Sequence, residues 1–217
     1  VIRIIKKNIN GLNKISNERM LDELKKILVL KNLYNLFSNE ISKEIFLNIF
    51  PQFKYSERIK KINNLQKKLR DMYDNDLILA LLVVDETDNY EYFCHKYKTS
   101  NNLKNRFKNI FHNFKKLKDK KFYFEKNIKK MVYLSNKDLV KDLLLFSIGI
   151  NNKIEPIDIE KIINYVNNCK IPKFPISGDY LKERGYKPGK ELGKKLKSLE
   201  EEWIKNNFII EDKIVKS

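Results

Sequence analysis

The residues with the most definite chemistry lie in Ile171-Pro-Lys-Phe-Pro-Ile-Ser-Gly-Asp-Tyr-Leu-Lys-Glu-Arg-Gly-Tyr-Lys-Pro-Gly-Lys-Glu-Leu-Gly-Lys-Lys-Leu-Lys-Ser-Leu-Glu-Glu-Glu-Trp203. Lys187, Lys190, Lys194 and Lys197 recur at helical spacing, which places their ammonium groups along one side. Gly189 and Gly193 carry no side chain, so a phosphate or another backbone can come close at those two positions. The first N–H groups of a helix have no internal partner and sit at the positive end of its dipole, so lysines around such a start suit phosphate binding. A helix-packing corner with a solvated lysine face would carry the same pattern, and these residues alone leave both readings open.

A second basic segment has a related chemistry. Lys104, Arg106, Lys108, Lys115, Lys116, Lys118, Lys120 and Lys121 interleave with Phe107, Phe111, Phe114, Phe122, Tyr123 and Phe124. Cations among aromatics suit a phosphate backbone with bases or ribose nearby. Phe107, Phe111 and Phe114 are at helical core spacing, however, and are expected inside. Other reactive types form no site. Asp85, Glu86 and Asp88 cluster without a glycine turn or strand pair to frame a metal, and read as a solvated helix end. Glu200 to Glu202 read as a face that balances lysines. His95 and His112 are isolated from any metal-ligand spacing. Cys94 and Cys169 imply no disulfide framework. No nucleophile–base pair can be argued, and no metal site.

The elements that must position these residues read as helices. Ser177 is a good N-cap, with Asp179 in the first turn of a short helix and Gly185 placed to end it in a left-handed C-cap. Pro188 suits the first turn of the next helix, where Leu192, Leu196, Leu199 and Trp203 share a face. At the other end, Ile2, Ile5 and Ile9 set a stripe that breaks at Gly11 to Ile15. Ser16 then caps a helix whose apolar face is Met20, Leu21, Leu24, Ile27 and Leu28, and Arg19 and Glu23 are spaced to pair on its side. Residues 33–53 read as short helices ending at Phe50-Pro51, and residues 56–73 as one basic amphipathic helix. Residues 76–84 are apolar all round; a buried helix fits better than a strand among helical neighbours. Residues 135–150, capped by Ser135, and residues 156–168 complete the series. The expected fold is all-α, an elongated multi-helix array.

The chain has 217 residues, enough for a real core, and a formal net charge of +17. Such an excess implies an anionic partner such as nucleic acid. Richness in Lys, Asn and Ile fits an AT-rich genome and accounts for part of it. No apolar run is long enough to cross a membrane and no signal peptide is visible, so a soluble, cytoplasmic protein is expected. Val1 opens inside an apolar pattern, as if partway through a longer architecture.

Two stretches carry a family resemblance. The pattern from Phe174-Pro through Gly185, Pro188-Gly189 and Leu192-Gly193 to Leu199-Glu and Trp203-Ile resembles the tail of bacterial tRNA nucleotidyltransferases, the CCA-adding enzymes and their poly(A) polymerase relatives. Leu12-x-x-Ile-Ser-x-Glu-Arg-Met-x-x-Glu-Leu resembles the neck helix of the same family, whose motif residues here are Ser16, Glu18, Arg19 and Glu23. Ser135 to Leu145 resembles the entry to the tail. The resemblance implies neck-like helices over 1–55, a body-like helical region over 56–134 and a tail over 135–217. It implies that the neck motif holds the neck around a nucleotide pocket and that body and tail grip tRNA, with Lys104, Arg106, Lys108, Lys115, Lys116, Lys118, Lys187, Lys190, Lys194 and Lys197 as candidate RNA contacts. The family's paired aspartates for Mg²⁺, its Arg-Arg-Asp motif and its template motif have no counterpart here; Leu181 stands where a second carboxylate would follow Gly178-Asp179. The catalytic head is thus expected before Val1, or as a separately encoded polypeptide, with Mg²⁺ and CTP or ATP belonging to it and no cofactor to this chain. A stand-alone RNA-binding remnant and a helical protein–protein scaffold are the alternatives.

Overall fold

The computed structural model describes residue 4 and residues 8–30, 33–151 and 154–209. Ile2 and Ile5 lie outside the described residues. The chain is an all-α array of helices, with no strand among the described residues. After a 3-10 turn at Ile9–Lys14, α1 spans Asn17–Leu28, α2 Leu33–Ser38 and α3 Glu40–Ile49. The Ser16 hydroxyl caps α1 by accepting from the Arg19 N–H at 3.3 Å. Next come α4 (Glu57–Asn63), α5 (Lys67–Arg70), α6 (Asn75–Val83) and α7 (Asn89–Lys96). The single helix expected over 56–73 is therefore two. Asn63-Asn64, weak helix formers, end α4, and the chain turns at extended Gln66 so that Ile59, Ile62 and Leu69 all reach one core.

Helix α6 is apolar all round because it is buried all round: Leu77 and Leu79 to Val83 have no exposed surface. Around it lie α8 (Asn101–Leu117), a 3-10 turn (Lys120–Tyr123), α9 (Glu125–Leu134), α10 (Lys137–Ile150) and α11 (Pro156–Asn168). The hub is α10, which packs against α4, α6, α8, α9 and α11. Gly149 permits the approach of α10 to α6, since a Cβ there would sit 2.5 Å from the Leu81 Cδ2 atom. Ser135 does not cap α10. It donates to the Met131 carbonyl and closes α9, while Asn136 caps α10 by accepting from the Leu139 N–H at 2.8 Å.

The C-terminal end of α6 is sealed by a buried arginine. The last carbonyls of a helix lack internal donors. Arg58 Nη1 donates to the Leu81 and Val84 carbonyls at 3.0 and 2.8 Å, and the Tyr55 ring lies 3.8 Å from its guanidinium carbon. Asp85 is beside it and is buried, not solvated as expected from its sequence neighbours. It accepts from the Thr87 N–H and hydroxyl and from the Tyr55 hydroxyl.

A second, smaller core begins beyond α11. Ile176, Leu181 and Leu199 are buried together, with Phe174, Tyr180, Tyr186, Leu192 and Leu196 against them. It joins α12 (Gly178–Glu183) to α13 (Lys190–Lys205). Helices α10 and α11, grouped with the tail on sequence, contribute to the main core instead. The two units meet where Tyr133 of α9 packs against Trp203 and Phe208, and where Lys130 donates to the Lys205 carbonyl at 3.0 Å.

Candidate nucleic-acid interface

The tail turn is built from its glycines. Ser177 caps α12 by accepting from the Tyr180 N–H at 3.1 Å. At the other end Gly185 has φ +89, and its N–H bonds the Lys182 carbonyl while the Tyr186 N–H bonds the Leu181 carbonyl. This is a Schellman C-cap, completed by the Tyr186–Leu181 contact in the small core. Gly189 has φ +143, a conformation closed to other residues, and it is the N-cap of α13. The helix consequently starts at Lys190, with Pro188 outside it and not in its first turn. No side chain caps this start. Lys187, Lys190, Lys194 and Lys197 are all exposed, and none pairs with an acid among the described residues. Bare N–H groups at the start of α13 are thus flanked by Lys187 and Lys190, with the unpaired Lys194 and Lys197 one and two turns further along. Preceding them, the Arg184 guanidinium carbon lies 3.5 Å from the centre of the Tyr180 ring.

The second basic segment divides. Phe107 and Phe114 are buried and Phe111 packs at a tilt against Tyr90, so the aromatics between the cations belong mainly to the core. Lys104, Lys108 and Lys115 are exposed along α8. Lys116 bonds the Asn113 side chain at 3.0 Å, and Lys118 pairs with Glu86 while lying over the Phe114 ring. Arg106 is turned inward. Its Nε and Nη2 form a two-pronged contact with Asp142, each at 2.7 Å, and its Nη1 reaches Asp74 at 2.7 and 2.9 Å. Burial opposes its charge, but the two carboxylates outweigh that and hold the proton more firmly than usual. Its donors face a cleft of about 940 Å³ between α8 and α10 that Asn102, Asn105 and Asn109 also line.

The neck residues lie on α1. Glu18 pairs with Lys98 at 2.8 Å, which ties α1 to the loop after α7. Glu23 pairs with Lys26 at 2.8 Å instead of with Arg19. Arg19 lines a largely apolar cavity of about 270 Å³ with Leu12, Ile15, Met20, Ile27 and Phe50. Among the described residues no three His, Cys, Asp or Glu are grouped to hold a metal. None of their helices is long and apolar enough to cross a membrane. Sequence reasoning passed over the Arg184–Tyr180 stack, whose i,i+4 spacing was a visible signal, and the buried Arg58, which had none; it took the buried Asp85 for a solvated residue.

Comparisons with known proteins bear on this surface. Residues 72–216 match the family model described as tRNA nucleotidyltransferase domain 2, putative. Residues 1–57 match the model described as the probable RNA and SrmB-binding site of polymerase A. Among solved structures, the Thermotoga maritima CCA-adding enzyme complexed with tRNA has a similar fold, with a TM-score of 0.59 and 18% identity over 99% of this chain and 54% of that one. The chain therefore spans about half the length of that enzyme chain. No curated protein matches it.

Proposed function

Since the chain belongs to the tRNA nucleotidyltransferase family, we propose that it is the tRNA-binding helical portion of a CCA-adding enzyme. In this reading it grips tRNA and presents the 3′ end to a catalytic head, which supplies Mg²⁺, selects CTP or ATP and performs the transfer. The observation that carries the reading is the first half of α13, where uncapped N–H groups at its start are followed by exposed lysines at 190, 194 and 197, with Lys187 just before the cap, inside the segment matched to the family. A phosphate there would accept hydrogen bonds from the backbone and face the positive end of the helix dipole. Lys104, Lys108 and Lys115 along α8 offer further phosphate contacts. Lysines reach phosphates as point charges, so the recognition proposed is of backbone shape. Arg106, spent on Asp142 and Asp74, is assigned to positioning α8 and not to RNA. The neck cavity beside Arg19 is where the head would be held. A cytoplasmic site of action fits this role.

Binding of labelled tRNA, compared with a B-form DNA duplex of equal charge, tests the reading. Shape recognition predicts tighter binding to tRNA. Equal affinity for both would reduce the surface to general charge, and binding to neither would leave a helical scaffold.

A further inference from the structure

The turn between the tail helices holds a feature that the lysines do not explain. Arg184 is the C-cap residue of α12, fixed in place by the two Schellman hydrogen bonds that flank it. Its guanidinium lies over the Tyr180 ring at 3.5 Å, and its Nη1 donates back to the Tyr180 carbonyl at 3.4 Å. Tyr180 is half-buried against the small core. Arg184 is exposed, and no acid among the described residues pairs with it. Of the two acids in α12, Asp179 is taken by Lys182 at 2.8 Å, and Glu183, next to Arg184 in the chain, forms no ion pair with it. A planar, weakly hydrated cation is therefore held flat on an anchored ring at the surface.

We propose that Arg184, held on Tyr180, is a stacking platform for a nucleobase of the bound RNA, next to the phosphate site at the start of α13. The proposal rests on the tRNA-binding reading above. Unstacked bases pack on guanidinium planes as readily as on aromatic rings, because every base has a π-face. Placement agrees with this use. Six residue steps lead from Arg184 to Lys190, a backbone reach of no more than about 20 Å. That is the span of a few nucleotides, so one strand could lay its phosphate on α13 and its base on Arg184. Two plainer roles make different predictions. As a phosphate contact, Arg184 would be replaceable by lysine. As a local Tyr–Arg pair, it would matter to α12 alone.

The test is tRNA affinity against salt for the full chain and for R184K, R184A and Y180L, with helix content checked by circular dichroism. The platform predicts that R184K, which keeps the charge and loses the plane, weakens binding about fivefold or more. R184A should lose a similar factor, and the salt slope of R184K should stay parallel to that of the parent. A folded Y180L should reproduce the loss. Parental affinity in R184K overturns the platform, as does a slope reduced by about one in R184A and restored in R184K, the signature of a phosphate contact. In either case the tRNA-binding reading survives through the parent. If the parent itself binds no tRNA, both fall together.

Discussion

At the scale of single residues, the one acid buried among the described residues is structural. Asp85 is a carboxylate with only 3% of its surface exposed, and burial works against its charge. The Thr87 hydroxyl and N–H, the Tyr55 hydroxyl and the Lys54 ammonium together outweigh that cost and hold its carboxyl below the usual range. The sign of the linkage follows. A depressed carboxylate contributes stability that is fully present above its unfolded value, near 3.8, and is lost as pH falls through its folded value. Asp85→Asn keeps the shape and removes the charge, so at pH 7 it should cost about 1.5–3 kcal/mol, the worth of hydrogen bonds to a charged group. Urea unfolding at pH 7 and at pH 3 checks this. The gap between parent and variant should narrow at the lower pH. A gap of equal size at both would show that the charge contributes nothing.

At the scale of elements, the caps decide where helices start, and adjacent candidates compete. Ser135 and Asn136 are both good N-caps by type, yet only Asn136 accepts from the N3 backbone N–H, while Ser135 closes the preceding helix. Asn136→Ala should therefore cost about 1 kcal/mol, and Ser135→Ala should cost little. The reverse order in thermal melts would put the start of α10 one residue earlier. Local signals of this kind were readable in the sequence where one residue type admits one answer. Ser16, Ser177 and Gly185 do what their types suggest, and the apolar run of α6 could only be buried. Pro188 was misplaced because Gly189, at φ +143, is free to postpone the helix. Contacts between distant segments were not readable. Nothing near Arg106 in sequence announces Asp142, 36 residues away, and nothing near Arg58 announces the carbonyls of α6. Basic residues look alike in a sequence; whether one meets solvent or an internal acid is settled by the packing of other helices. Hence the exposed lysines of α13 were legible as a surface, while Arg106 was not legible as an internal clamp.

At the scale of the whole molecule, a large core built on α6 and α10 carries a small tail core, joined through Tyr133, Trp203 and Phe208. The formal charge of +17 is not spread evenly in its use. Lys25, Lys68, Lys98, Arg106 and Lys118 are engaged with acids of other elements, whereas the lysines at the start of α13 are not engaged with any described acid. The family match and this unpaired cluster meet in the same segment, so the tail is where the proposed grip on tRNA is most exposed to test. Each lysine that neutralises a phosphate releases condensed counterions, and log affinity then falls with log salt by roughly 0.7 to 0.9 per contact. The most direct measurement is tRNA affinity between low and physiological salt for the parent chain and for the triple variant K187A/K190A/K194A. Alanine is a good helix former, so helix content should not change. The account predicts a slope flatter by about one unit for each of the three lysines that touches a phosphate. Parallel lines for parent and variant would contradict it, and the glycine-rich turn would then be a packing corner with a solvated lysine face.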